Sequence, residues 1–155
     1  MKTNKHSRTD QYSTMRRSAL IEIKIDGASG GNPGLSGAGV VLKINGEIKE
    51  YSFPLGMMSN HEAEFTAMIK ALEVCANYGY EHGLAFQTDS KLLQEAFEKN
   101  YVKNETFKPL LAKINRLKEP FPFCFIKWIP KEHNKHADRL AREAIYRQKT
   151  STTTP

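Results

Sequence analysis

A chain of 155 residues with 39% hydrophobic content suffices for one folded domain around one core. Its net charge of +6 and pI near 9.3 point to a polyanionic partner, nucleic acid or a lipid surface. No apolar run approaches the roughly 20 residues of a membrane helix, and the two cysteines, Cys75 and Cys124, lack Cys-x-x-Cys spacing, which argues against a membrane protein and a zinc finger and fits buried free thiols in a reducing cytoplasm.

Residues 1–18 carry Lys2, Lys5, Arg8, Arg16 and Arg17 against Asp10 alone. Without an apolar segment they read as a disordered basic arm rather than a secretory signal, and such an arm attracts phosphate without specificity. Ile21, Ile23 and Ile25 alternate with polar residues up to Asp26, which is strand periodicity. The chain then turns through Gly30-Gly31-Asn32-Pro33-Gly34. Residues 37–44 make a second strand, Asn45-Gly46 a two-residue hairpin, and Glu47 to Phe53 an antiparallel third strand.

Ser59 with Glu62 fits a capping box that starts a helix with an apolar stripe of Ala67, Met68, Ala71, Leu72 and Cys75, running to about Tyr78-Gly79. A short strand from Leu84 to Thr88, helices from about Ser90 to Glu98 and Phe107 to Leu117, and an aromatic strand from Phe121 to Ile129 follow. A last helix runs from about Asn134 to Gln148, and the Thr-rich residues 150–155 read as a disordered tail. The order βββ-α-β-αα-β-α over residues 19–149 implies an α/β domain. Its five-stranded mixed sheet has three antiparallel strands, then two parallel ones joined through helices, with helices packed on it. In that topology Asp26 and Asp89 lie at carboxyl ends of parallel strands, the edge where open α/β sheets bind ligands.

Four carboxylates stand out. Asp26 ends a strand before a turn, and Glu64 falls on the apolar stripe of its helix. Asp89 sits at a strand-to-helix junction, and Asp138 lies near the start of the last helix. Each has an ordinary explanation alone: a turn Asp, a first-turn Glu favoured by the helix dipole, a helix N-cap, and an ion pair with Arg139 or Arg142. Gathered at one sheet edge they repel one another, and protons or cations must neutralise them. An all-oxygen donor set selects a hard cation such as Mg2+ or Mn2+.

The motifs Asp26-Gly-Ala-Ser-Gly-Gly-Asn-Pro-Gly34, Asn60-His-Glu-Ala-Glu-Phe65, Thr88-Asp-Ser90 and His136-Ala-Asp-Arg-Leu-Ala141 occur in this order. Together, over about Leu20 to Ala144, they resemble the ribonuclease H family, type-one class. The resemblance implies an endonuclease that cuts the RNA strand of RNA–DNA hybrids with two Mg2+ or Mn2+ ions roughly 3.5–4 Å apart; a monomer is expected. It casts Asp26 as a bridge between both ions. Asp138 would help hold the ion that activates water, and Glu64 and Asp89 the ion at the leaving 3′ oxygen. Water attacks in line, leaving a 5′-phosphate and a 3′-hydroxyl. Gly30, Asn32, Asn60 and Ser90 are implied as substrate contacts, and Glu64 as a second acceptor for a 2′-hydroxyl, the group that separates RNA from DNA.

The chain departs from the family pattern where His61 stands in place of a second Asn and Lys91 in place of a Gln. The loop before the last Asp is short, which leaves His133 and His136 as candidate auxiliary histidines and Glu132 as a candidate for adjusting metal occupancy. Lys91, Lys131, Lys135, Arg139 and Arg142 are the basic residues expected near the site. Two other readings share this fold: a nucleic-acid-binding module with little turnover, and a metal nuclease acting on duplex RNA or DNA.

Overall fold

The structure, a computed structural model, describes residues 20–152; the expected basic arm and residues 153–155 lie outside the described residues. Five strands, β1 (Leu20–Ser29), β2 (Gly34–Ile44), β3 (Glu47–Met58), β4 (Gly83–Thr88) and β5 (Cys124–Trp128), form one mixed sheet ordered β3-β2-β1-β4-β5. The pairs β1–β2 and β2–β3 are antiparallel, and β1–β4 and β4–β5 are parallel, as the sequence implied. The helices are α1 (Asn60–Ala76), α2 (Lys91–Lys99), α3 (Lys108–Lys118) and α4 (Lys135–Thr152), with a short 3-10 turn at Lys131–His133. No helix among the described residues is long and apolar enough to cross a membrane.

Period-two alternation in β1 buries Ile21, Ile23 and Ile25 to 1% exposure or less. These residues join the core that α1 completes with Phe65, Met68 and Leu72. Burying each such side chain stabilises the fold by roughly 1.5–3 kcal/mol. The capping box forms as the sequence suggested: the Glu62 amide donates to Ser59 Oγ at 3.1 Å, and the Ser59 amide donates to Glu62 Oε1 at 3.0 Å. Asn45 and Gly46 both take positive φ, 52° and 78°, which closes the β2–β3 hairpin.

Several boundaries differ from expectation for identifiable reasons. β1 does not stop at Asp26 but continues to Ser29, paired with β2 alone, because its parallel ladder with β4 ends at Ile25 opposite Thr88. β3 runs through Pro54 to Met58; it is an edge strand, where the missing proline N–H leaves no ladder bond unmade. β5 is shorter than its aromatic run: Phe121, between Pro120 and Pro122, stays outside the ladder, and Phe123 joins it only through its carbonyl, which accepts from the Leu84 amide at 3.0 Å. α4 extends past Gln148 to Thr152, so residues 150–152 are helical rather than part of a disordered tail. The Thr150 hydroxyl donates back to the Arg147 carbonyl at 3.0 Å.

Two glycines let helices touch the sheet on its opposite faces. A methyl group on Gly27 of β1 would collide with the backbone of Ala63 and Glu64 in α1. A methyl group on Gly39 of β2 would collide with the Ala137 carbonyl of α4. The residues flanking these contacts on α4 are Ala137, Ala141 and Ala144, all fully buried, so helix and sheet backbones approach closely. Gly39→Ala must push α4 off the sheet. Overpacking of this kind costs about 1–3 kcal/mol, and urea denaturation should show a lowered midpoint with an unchanged slope.

Candidate active site

The four carboxylates reach one place by four routes. Asp26 pairs across β2 with Gly39, the residue on which Ala137 rests, so Asp138 arrives beside Asp26. Gly27 meets Ala63 and Glu64, which brings Glu64 to its other side. The register Ile25 to Thr88 puts Asp26 and Asp89 one residue beyond the end of a shared parallel ladder. A single cavity of about 250 Å3 is lined by Asp26, Glu64, Asp89 and Asp138, together with Gly27, Ala28, Asn60, Lys131 and Arg142.

Asp26 and Glu64 are each only 8% exposed. Burial, reinforced by the Asp89 charge, a hydrogen bond and charge from Asp138, and the Glu64 charge, pushes the Asp26 carboxyl up to about 9. Burial also raises Glu64; the hydrogen bond and charge of His61 and a hydrogen bond from Ser90 oppose that rise, while the Asp89 charge adds to it. His61 Nδ1 lies 2.7 Å from Glu64 Oε1, so the residue that departs from the family pattern is a direct partner of a site carboxylate. Arg142 Nε donates to both Asp138 oxygens at 3.1 Å.

These features fit a cation site. All the donors are carboxylate oxygens, two are buried, their mutual repulsion favours protonation, and a guanidinium already occupies the outer carboxylate. Among the described residues no three acidic, histidine or cysteine side chains close on one point at coordinating distance.

The remaining sequence candidates divide. Asn60 lines the carboxylate cavity as the first residue of α1. Ser90, implied as a substrate contact, is 5% exposed and has internal partners. It is the N-cap of α2, accepting from the Leu93 amide at 3.1 Å, and its own amide donates to Thr88 Oγ1 at 3.1 Å. Asp89 is therefore not the cap its position suggested, which leaves its carboxylate for the cavity. Gly30 lies in a neighbouring cavity of about 190 Å3 with Ser29, Arg142, Ile145, Tyr146 and Lys149. Asn32 is exposed in the turn, away from both sets of lining residues.

Neither His133 nor Glu132 lines the carboxylate cavity; His133 instead accepts at its backbone carbonyl from Lys24 Nζ at 3.3 Å. Of the expected basic residues, Lys131 and Arg142 line the cavity and Lys135 does not. Arg139 pairs with Glu50 at 2.9 Å and Glu143 at 2.8 Å, and Lys91 sits 4.5 Å over the Trp128 ring. Cys75 and Cys124 are free thiols pushed up to about 12 by burial, which keeps them protonated.

Asn134 carried no signal in the sequence beyond a helix start. It is fully buried, and its amide donates to the Ile25 carbonyl at 2.8 Å and to Asp89 Oδ2 at 3.1 Å.

A family model described as reverse transcriptase-like matches residues 24–144. The putative hydrolase EbsB of Enterococcus faecalis is 42% identical over 127 residues, covering 81% of this chain and 94% of that relative. Ribonuclease H of Nitrosomonas eutropha is 31% identical over 149 residues, covering 81% of this chain and 89% of that relative. The chain belongs to the ribonuclease H family. Among solved structures of ribonuclease H proteins, LC11-RNase H1, isolated from compost by a metagenomic approach, has been determined in complex with an RNA/DNA hybrid. It matches with a TM-score of 0.77 at 35% identity, over 83% of this chain and 98% of that one.

The raised Asp26 carboxyl makes the metal-free protein sensitive to pH. With the group moved from 3.8 to about 9, the folded state holds a proton that the unfolded chain releases between those values. The contribution of this group to stability is therefore fully present below about pH 4 and falls as pH rises toward about 9. In EDTA, the melting temperature should drop between about pH 5 and pH 9. Asp26→Asn should flatten that slope and melt higher at about pH 8, by about 3 °C or more, the shift that roughly 1 kcal/mol produces in a domain of this size. Parallel slopes for the two proteins by differential scanning calorimetry would exclude Asp26 as the source.

Proposed function

We propose that this chain is a divalent-metal-dependent endonuclease that hydrolyses the RNA strand of RNA–DNA hybrids, leaving a 5′-phosphate and a 3′-hydroxyl. The observation that carries the reading is the convergence of Asp26, Glu64, Asp89 and Asp138 on one cavity, where burial and repulsion leave Asp26 short of positive charge. The hybrid-bound LC11-RNase H1 supports the substrate class.

Mg2+ or Mn2+ ions held by the four carboxylates would supply the charge that stabilises both the attacking water and the leaving oxygen at the scissile phosphate. The protein's own groups do the rest. Asp26, flanked by the other three, would be the ligand common to the ions. Asp138, partly exposed on α4, would help hold the ion that activates water. Glu64, held by His61, would accept from the 2′-hydroxyl that distinguishes RNA. Asn60 beside it offers an amide to the strand in the minor groove. Lys131 and Arg142, on the rim, attract phosphate.

Labelled RNA–DNA hybrid, duplex RNA and duplex DNA, each with Mg2+ or Mn2+, test the reading. Cleavage of the hybrid alone, lost in EDTA and reduced at least about a thousandfold in Asp26→Asn, is expected. Cleavage of DNA alone would overturn the substrate assignment, and binding without cleavage of any substrate would make the chain a binding module. With few cations lining the cavity, affinity for hybrid should be modest and should fall steeply between about 50 and 200 mM salt in fluorescence anisotropy.

A further inference from the structure

The end of β5 and the segment that leads from it into α4 grip Asp89 at two points. The Trp128 indole Nε1 donates to the Asp89 carbonyl at 3.1 Å, and the Asn134 amide donates to Asp89 Oδ2 at 3.1 Å. The same Asn134 amide donates to the Ile25 carbonyl at 2.8 Å, immediately before Asp26. That carbonyl lies where the β1–β4 ladder stops, so the side chain takes over where strand pairing ends. Both oxygens facing the amide are acceptors, and only the NH2 edge satisfies them. The other edge, Oδ1, is buried without a partner. A side chain retained with one buried polar atom unsatisfied is held for the bonds its other atom makes.

We propose that Asn134 is a positioning residue. By tying the Asp89 carboxylate to the backbone beside Asp26, it fixes the spacing of the two groups and so sets the affinity of the site for divalent cations. This rests on the metal-dependent reading above. Asp89 is supplied by the end of a short parallel strand, and nothing in the strand itself dictates where its side chain turns. A ligand carboxylate without an orienting donor samples several rotamers, and each cation bound must then select one. Asn134 removes that freedom in advance. Its own place is secured because it is fully buried at the entry to α4, where its carbonyl accepts from the Asp138 amide at 3.1 Å. One residue thus touches the backbone beside Asp26, the side chain of Asp89 and the backbone of Asp138.

Isothermal titration calorimetry of the full chain with Mn2+ alone tests the proposal in four proteins: wild type, Asn134→Ala, Asp89→Ala and the double variant. Loss of an orienting partner typically weakens metal binding about 10- to 100-fold. Asn134→Ala should therefore bind Mn2+ at least about tenfold more weakly than wild type. In the Asp89→Ala background the same change should alter affinity by less than about twofold, because the carboxylate it orients is gone. An equal loss in both backgrounds means a general structural role and overturns the proposal, as does wild-type affinity in Asn134→Ala. Should alanine fail to fold, Asn134→Ser, which retains one donor on a shorter side chain, takes its place under the same two criteria. A wild-type chain that binds no Mn2+ removes the metal-dependent reading itself, an outcome distinct from a metal-binding wild type indifferent to Asn134.

Discussion

Absence of a side chain at Gly27 and Gly39 determines where everything else in this molecule can stand. These glycines sit on adjacent central strands and face opposite layers. Each admits the backbone of a helix to a distance that no Cβ would allow. Asp26 lies next to one in sequence and opposite the other in register. Glu64 and Asp138 therefore flank Asp26 because two helices are pressed against the strands that carry or pair with it. The long helices, their apolar faces and the alanine run of α4 serve this approach as much as they serve the core.

The arrangement holds the folded chain against its own electrostatics. The hydrophobic core that α1 completes draws Glu64 below the surface, and β2 and α4 enclose Asp26, so two carboxylates lose water without gaining a cation from the protein. The partial remedies are local: His61 on Glu64 and Arg142 on Asp138. Neither reaches Asp26, whose carboxyl burial pushes up to about 9. Stability and the burial of charge are opposed at this residue, and the rest of the domain, with its large apolar core, carries the difference.

Much of this was legible in the sequence because the signals were local. The alternation of isoleucines, the Asn45-Gly46 hairpin and the Ser59–Glu62 box each encode their structure within a few residues, and the parallel arrangement follows from the helices between strands. The four carboxylates could be named because their motifs recur in order. What the sequence hid depended on neighbours far along the chain. Pro54 looks like a strand terminator until β3 is known to be an edge. Asp89 and Ser90 compete for one cap, and only the three-dimensional environment shows Ser90 taking it and freeing its neighbour. Lys91 and Arg139 counted as site cations by proximity in sequence, yet an indole and two glutamates claim them. Asn134 had no distinguishing pattern, since its partners are a carbonyl 109 residues away and a carboxylate 45 residues away.

Trp128 is the only tryptophan in the chain. Its ring is partly exposed, carries the Lys91 ammonium over one face, and donates its N–H to the backbone of Asp89. All indole emission from this protein therefore originates from one fluorophore bonded to a residue of the carboxylate cavity. Its colour and intensity respond to the polarity and charge of that neighbourhood, so the native molecule carries its own optical gauge of events at the cavity, with no label to attach.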